Sequence, residues 1–65
     1  MPVITIEAGA MEKEQKNNLI KNFTREASAI LDIPQDAFIV VIKENNPDNI
    51  GTGGKMLSKV FEERS

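Results

Sequence analysis

The sequence predicts an α/β protomer: one β-α-β unit with parallel strands, a single crossover helix and a C-terminal hairpin arm, assembled into an oligomer. Three observations lead there. Two short runs rich in β-branched residues flank a longer stretch whose apolar residues recur at steps of three and four. The chain has 65 residues and so forms a single domain, 1–65. One helix can cover only one face of a sheet, so the other face needs a second copy of the chain.

The first strand is Val3-Ile4-Thr5-Ile6-Glu7-Ala8, ending at Gly9. Strand alternation puts Ile4, Ile6 and Ala8 on one face and Val3, Thr5 and Glu7 on the other. The first face is apolar and should meet the helix. From 12 to 31 the period changes: Leu19, Ile20, Phe23, Ala27, Ile30 and Leu31 form one apolar stripe. Ala10 and Met11 are weak caps for its start, although Glu12 and Glu14 suit the positive end of the helix dipole. Its end is well marked, because Pro34 pushes Ile33 out of the helical region. Phe38-Ile39-Val40-Val41-Ile42 is uninterruptedly apolar, as expected of a strand covered on both faces. Strand, helix and strand make a right-handed crossover with parallel strands. Asn45-Asn46-Pro47-Asp48-Asn49 is a loop by composition. The glycine-rich Ile50-Gly51-Thr52-Gly53-Gly54 leads into a short strand or hairpin arm and then a charged tail to Ser65.

Composition removes whole classes of function. A chain this short has a meagre core, and small domains are usually reinforced by disulfides, metals or oligomerisation. There is no Cys, which excludes disulfides and thiolate metal sites, and no His, which removes the commonest metal ligand and general base. Oligomerisation is the remaining remedy. Eight basic and ten acidic residues give a net charge of −2. The basic residues are scattered without interleaved aromatics, which disfavours nucleic-acid binding. No apolar run is long enough to span a membrane, and no basic segment followed by an apolar stretch marks a signal peptide. A cytoplasmic location is the expectation.

Two motifs come to little. Gly51-Thr52-Gly53-Gly54-Lys55 invites a phosphate-loop reading, but Asn49 stands where the first glycine belongs and Met56 where Ser or Thr belongs. A turn that needs positive φ explains those glycines. Glu7, Glu12, Glu14 and Glu44 have no spacing that pairs two carboxylates on one face, so they read as solvated.

The residue that carries chemistry is Pro2. The chain opens Met1-Pro2, and an initiator methionine is removed when a small residue follows it. Pro2 would then present a secondary amine at a free terminus. An α-amino group has a pKa of about 7.7–8.0, which desolvation lowers. A terminal proline running straight into an apolar strand is therefore a candidate general base near neutral pH. With Met1 retained, the same nitrogen is an amide without a basic lone pair.

Taken in order, Met1-Pro2 before Val-Ile-Thr-Ile, Glu14-Gln15-Lys16 leading to Leu19-Ile20, Leu31-Asp32-Ile33-Pro34, Ile42-Lys43-Glu44 and Gly51-Thr52-Gly53-Gly54 form a recognisable series. Over about residues 2–58 the chain resembles the 4-oxalocrotonate tautomerase family of the tautomerase superfamily. Its Asn-rich loop is similar to that of the DmpI-like branch. The resemblance implies a β-α-β protomer, dimers whose sheets join, and commonly a hexamer built as a trimer of dimers, with a dimer as the smaller alternative. It implies an isomerase in which Pro2 removes a proton from carbon beside a carbonyl and returns it elsewhere. The resemblance also implies that no metal and no organic cofactor takes part.

The departures from that pattern bear on substrate. Where well-studied members carry an arginine after the first strand, this chain reads Gly9-Ala10-Met11; a second arginine position holds Ile39, and an aromatic position holds Ile50. A bidentate fork for a carboxylate is not replaced by Met or Ile. Lys43, on the same strand face as Ile39, and Lys13, just after Met11, are the candidates to supply a positive charge, as points rather than forks. Without them the pocket around Pro2 is apolar, from Ile39 and Ile50. The competing reading is a non-catalytic oligomeric or small-ligand-binding protein on the same scaffold. A third keeps catalysis but changes the reaction, since related members dehalogenate, hydrate or decarboxylate.

Overall fold

The computed structural model describes residues 1–64. β1 (Val3–Ala8) is followed by α1 (Lys13–Leu31), a 3-10 turn (Gln35–Ala37) and β2 (Ile39–Glu44). A second 3-10 turn (Pro47–Asn49) leads to β3 (Gly51–Thr52), β4 (Lys55–Met56) and α2 (Leu57–Arg64). β1 and β2 pair in parallel, in a register running from Val3 opposite Ile39 to Ala8 opposite Glu44. β3 and β4 form a separate antiparallel hairpin. The α/β class, the parallel pair, the single crossover helix and the hairpin agree with the sequence.

The elements begin and end for local reasons. The N-cap of α1 is Glu12, where the sequence had suggested weak caps: Gln15 Oε1 accepts the Glu12 N–H at 2.9 Å, satisfying one donor at the helix start. At the other end Asp32 takes the left-handed conformation (φ 56), and its N–H and that of Ile33 both donate to the Ser28 carbonyl. The Ser28 hydroxyl closes the turn by donating to the Ile33 carbonyl at 2.6 Å. Phe38, expected to open β2, donates its N–H to the Gln35 carbonyl at 3.1 Å and so belongs to the turn. Asn46 caps the 47–49 turn by accepting the Asp48 N–H at 2.9 Å, with Pro47 in the first position. Gly53 and Gly54 have φ of 58 and 81, the two successive positive values that a tight two-residue hairpin needs.

α1 covers one sheet face. Ile4, Ile6, Ala8, Val40 and Ile42 are half-buried, as are Leu19, Phe23 and Ala27 of the helix. The predicted stripe is thus too broad: Ile20, Ile30 and Leu31 stay 42%, 78% and 53% exposed. The other sheet face is open, so the cover expected on both sides of β2 is absent within one protomer. The expected charged tail after the hairpin is instead largely helix, α2, with Leu57, Val60 and Phe61 at the three- and four-residue spacing of one stripe. Ser65 lies outside the described residues.

No described side chain is fully buried. The accessible surface is 5174 Å², whereas a compact chain of this length exposes roughly 4,100 Å². The radius of gyration is 15.5 Å, against about 11 Å for a compact domain of this length. The excess comes from the C-terminal arm, in which α2 packs chiefly on the 47–49 turn and β4, within a molecule 45 Å long.

Candidate functional site

Pro2 immediately precedes β1 at the end where the sheet begins. Its carbonyl accepts the Ile39 N–H at 3.0 Å, so the start of β2 is hydrogen-bonded to this residue. Pro2 is half-buried, while Met1 projects with 86% of its surface exposed. The Pro2 nitrogen here belongs to the peptide bond with Met1 and carries no basic lone pair. Removing Met1 would leave that nitrogen as an amine beside the apolar residues Val3 and Ile39, which are 56% and 41% exposed.

Of the predicted site residues, only Ile39 lies next to Pro2 within the protomer. Lys43 is four residues further along β2, opposite Glu7, and so about 13 Å from Ile39 at the strand rise. Lys13 begins α1, just beyond the C-terminal end of β1, and is also remote from Pro2. Ile50 follows the 47–49 turn and enters the arm, where its carbonyl accepts the Leu57 N–H at 2.7 Å. One protomer therefore splits the candidates among the two ends of the sheet and the C-terminal arm. Pro2 does not line the surface hollows formed by Met11 and Leu19, by Ala10 and Asn45, or by Gly54 and Lys59.

A cluster missed in the sequence sits at the far end. Glu44, expected to be merely solvated, accepts the Met11 N–H with Oε2 at 3.0 Å and the Lys16 ammonium with Oε1. The Lys16 hydrogen bond, then the Met11 N–H, hold its carboxyl below the usual carboxylate range, against the opposing effect of desolvation. Asn45 extends the link: its N–H donates to the Ala8 carbonyl at 2.7 Å and its Nδ2 to Glu7 Oε1 at 3.3 Å. The available signal was topological. Parallel register brings the end of β2 beside the loop that leaves β1, so a carboxylate at 44 faces the start of α1. Among the described residues no three His, Cys, Asp or Glu side chains gather as metal ligands would, and no helix is long and apolar enough to cross a membrane.

Against this geometry, the family model described as tautomerase enzyme matches residues 2–60. The chain belongs to the tautomerase family. Among solved structures, one described as apo unFused 4-OT is 32% identical, covers 91% of this chain and 98% of its own, and superposes with a TM-score of 0.84. DmpI from Helicobacter pylori is 26% identical, with 89% and 98% covered and a TM-score of 0.80. A heterohexamer 4-oxalocrotonate tautomerase from Chloroflexus aurantiacus J-10-fl is 22% identical, with 92% and 97% covered and a TM-score of 0.79, a likeness of fold. No match was found among curated proteins. The family resemblance drawn from the sequence motifs is thereby borne out.

Proposed function

We propose that this chain is a cofactor-independent isomerase in which Pro2, freed of Met1, is the general base for keto–enol or double-bond isomerisation of a small 2-oxo or 2-hydroxy acid. The observation that carries this reading is the position of Pro2 in a tautomerase-family chain: half-buried, at the head of β1, beside Ile39. An amine there takes a proton from the substrate and returns it at another carbon. Apolar neighbours favour its neutral, basic form, because desolvation disfavours the ammonium.

The working unit is a homo-oligomer, a hexamer in this reading, with the dimer as the smaller unit. The open sheet face and the extended arm support it. Lys13, Lys43 and Ile50 all lie away from Pro2 in their own protomer. They approach a Pro2 when neighbouring sheets run in opposite directions and the far end of one copy meets the near end of the next. Substrates without a second carboxylate, such as phenylenolpyruvate, suit Ile39 and Met11 better than 2-hydroxymuconate-like dicarboxylates.

Intact mass combined with an enol-ketonisation assay tests the reading. Processed protein should turn over simple enols, and Pro2→Ala should lower that activity at least about tenfold, within the range of general-base contributions. Protein that keeps Met1 should be at least as impaired. Equal rates for processed and Met1-bearing protein would remove Pro2 from the mechanism, and equal rates at background would favour a non-catalytic scaffold.

A further inference from the structure

Glu44 ends β2, yet its carboxylate reaches the loop that joins β1 to α1. Its two partners, Met11 and Lys16, lie 33 and 28 positions away in sequence. The Lys16–Glu44 side chains are 34% and 36% exposed, and a pair that accessible contributes little to stability. Its geometric effect is larger. The loop runs through Gly9 and Ala10, both exposed, and an added Cβ at Gly9 would meet nothing. The loop's backbone is instead tied to the end of β2 by Glu44, which accepts the Met11 N–H, while the next residue, Asn45, donates to the carbonyl of Ala8 at the end of β1.

What the clamp holds is Met11, which lines a surface hollow. Met11 and Leu19 give that hollow of about 410 Å³ apolar walls, and Gln15, Asn18 and Asn22 give it amide donors and acceptors without a formal charge. Glu44 itself lines the adjoining hollow with Ala10 and Asn45. The Met11–Glu44 bond thus joins the lining of one to that of the other. β1 has a strand neighbour on one side only. A two-fold axis across its open edge makes the two β1 strands antiparallel and sets the Pro2 end of one beside the Ala8 end of the other. Met11 then lies on the side of the site opposite the base.

We propose that Glu44 is a positioning residue for the substrate site: by holding Met11, it fixes the wall that receives the uncharged end of an enol substrate whose proton Pro2 moves. The proposal rests on the reading of Pro2 as the base. Lys16 aligns the carboxylate, and Glu44 aligns the loop. A glutamine at 44 keeps one acceptor for the Met11 N–H but turns an amide donor or an uncharged oxygen toward the Lys16 ammonium, so the clamp loosens without loss of volume.

The test is steady-state ketonisation of phenylenolpyruvate by processed wild type, Glu44→Gln and Lys16→Met, with hydrogen exchange at the Met11 amide measured on the same proteins. Glu44→Gln should raise KM about three- to tenfold, the size of an ordinary hydrogen bond's net contribution, with kcat much less affected and Met11 exchange faster. Lys16→Met, which leaves the Met11 N–H an ionised carboxylate rather than an amide oxygen to donate to, should give a smaller rise in KM. A purely structural role would lower kcat through the folded fraction and leave KM alone. An unchanged KM in Glu44→Gln, or unchanged Met11 exchange, overturns the positioning role. If processed wild type is no faster than Met1-bearing protein, the Pro2 reading falls and takes this proposal with it, an outcome distinct from an active enzyme with an indifferent Glu44.

Discussion

Ile39 and Glu44 stand at opposite ends of β2, and under the function proposed above they bear on opposite questions, what the site would accept and what would hold it. Ile39 donates its N–H to Pro2 and offers an apolar side chain, 41% exposed, on the open face. A carboxylate brought against it loses water without gaining a fork of donors, a cost of about 2–5 kcal/mol for an unpaired buried charge. Turnover of 2-hydroxymuconate should therefore trail that of phenylenolpyruvate, and Ile39→Arg should raise kcat/KM for the dicarboxylate selectively. A native preference for the dicarboxylate would mean that Lys13, Lys43 or another group supplies the missing charge. Glu44 has a pH signature of a definite sign. Its carboxyl is held below the ordinary value of 4.5 by Lys16 and the Met11 N–H. The ionised form is thus favoured by folding, so its contribution is fully present above that ordinary value and is lost as pH falls through the lower folded value. The stability difference between wild type and Glu44→Gln should be largest near neutral pH and shrink below about 4.5. A difference that grows on acidification would show that the carboxylate is not held by its partners.

At the scale of elements, the strands and helix were legible because their periods are strong and their boundaries carry proline or glycine. Ile4, Ile6 and Ala8 fell on the covered face, and the Gly53-Gly54 turn took the positive φ its residues allow. What was illegible depended on register or on overhang. Nothing local to Glu44 or Lys16 says that they meet across 28 residues. Ile30 and Leu31 keep helical spacing but remain exposed within the protomer. α2 was hidden by its short length and its charges, although Leu57, Val60 and Phe61 already had helical spacing. Of the candidate site, the pairing of Ile39 with Pro2 and the distance of Lys13 and Lys43 from Pro2 both follow from which end of the sheet each occupies. The end of α1 also yields a prediction. Asp32 is a non-glycine in the left-handed region and adds negative charge at a helix C-terminus with no basic residue in its last turn. Both features disfavour it. Asp32→Gly should stabilise the fold by about 1 kcal/mol, read from denaturant midpoints at constant m. Destabilisation would show that the Asp32 side chain has a partner in the assembled protein.

At the scale of the molecule, the protomer lacks what a lone domain needs. It has no fully buried side chain among the described residues, and its open face presents Val3, Ile39 and Val41 at 56%, 41% and 37% exposure. Toward the far end the same face turns to charge, with Glu7 opposite Lys43. If a second copy covers this face, its apolar half is where the assembly gains most of its free energy, at about 25 cal/mol per Å² removed from water. Val41→Lys discriminates between the face as an interface and the face as a tolerated surface. In a lone protomer the new ammonium would sit in water and cost little beyond strand propensity, well under about 1 kcal/mol. Inside an interface it would be a charge without a partner. Sedimentation at micromolar concentration should show wild type as an oligomer and Val41→Lys as smaller species with reduced helical signal, because a protomer this open has little core to fall back on. Wild-type thermal midpoints should also rise with protein concentration, as mass action requires when folding and association are coupled. A wild type that sediments as a stable folded monomer, or a Val41→Lys variant with unchanged sedimentation and midpoint, would show that this face is not the interface and that the arm or the helix exterior holds the copies together.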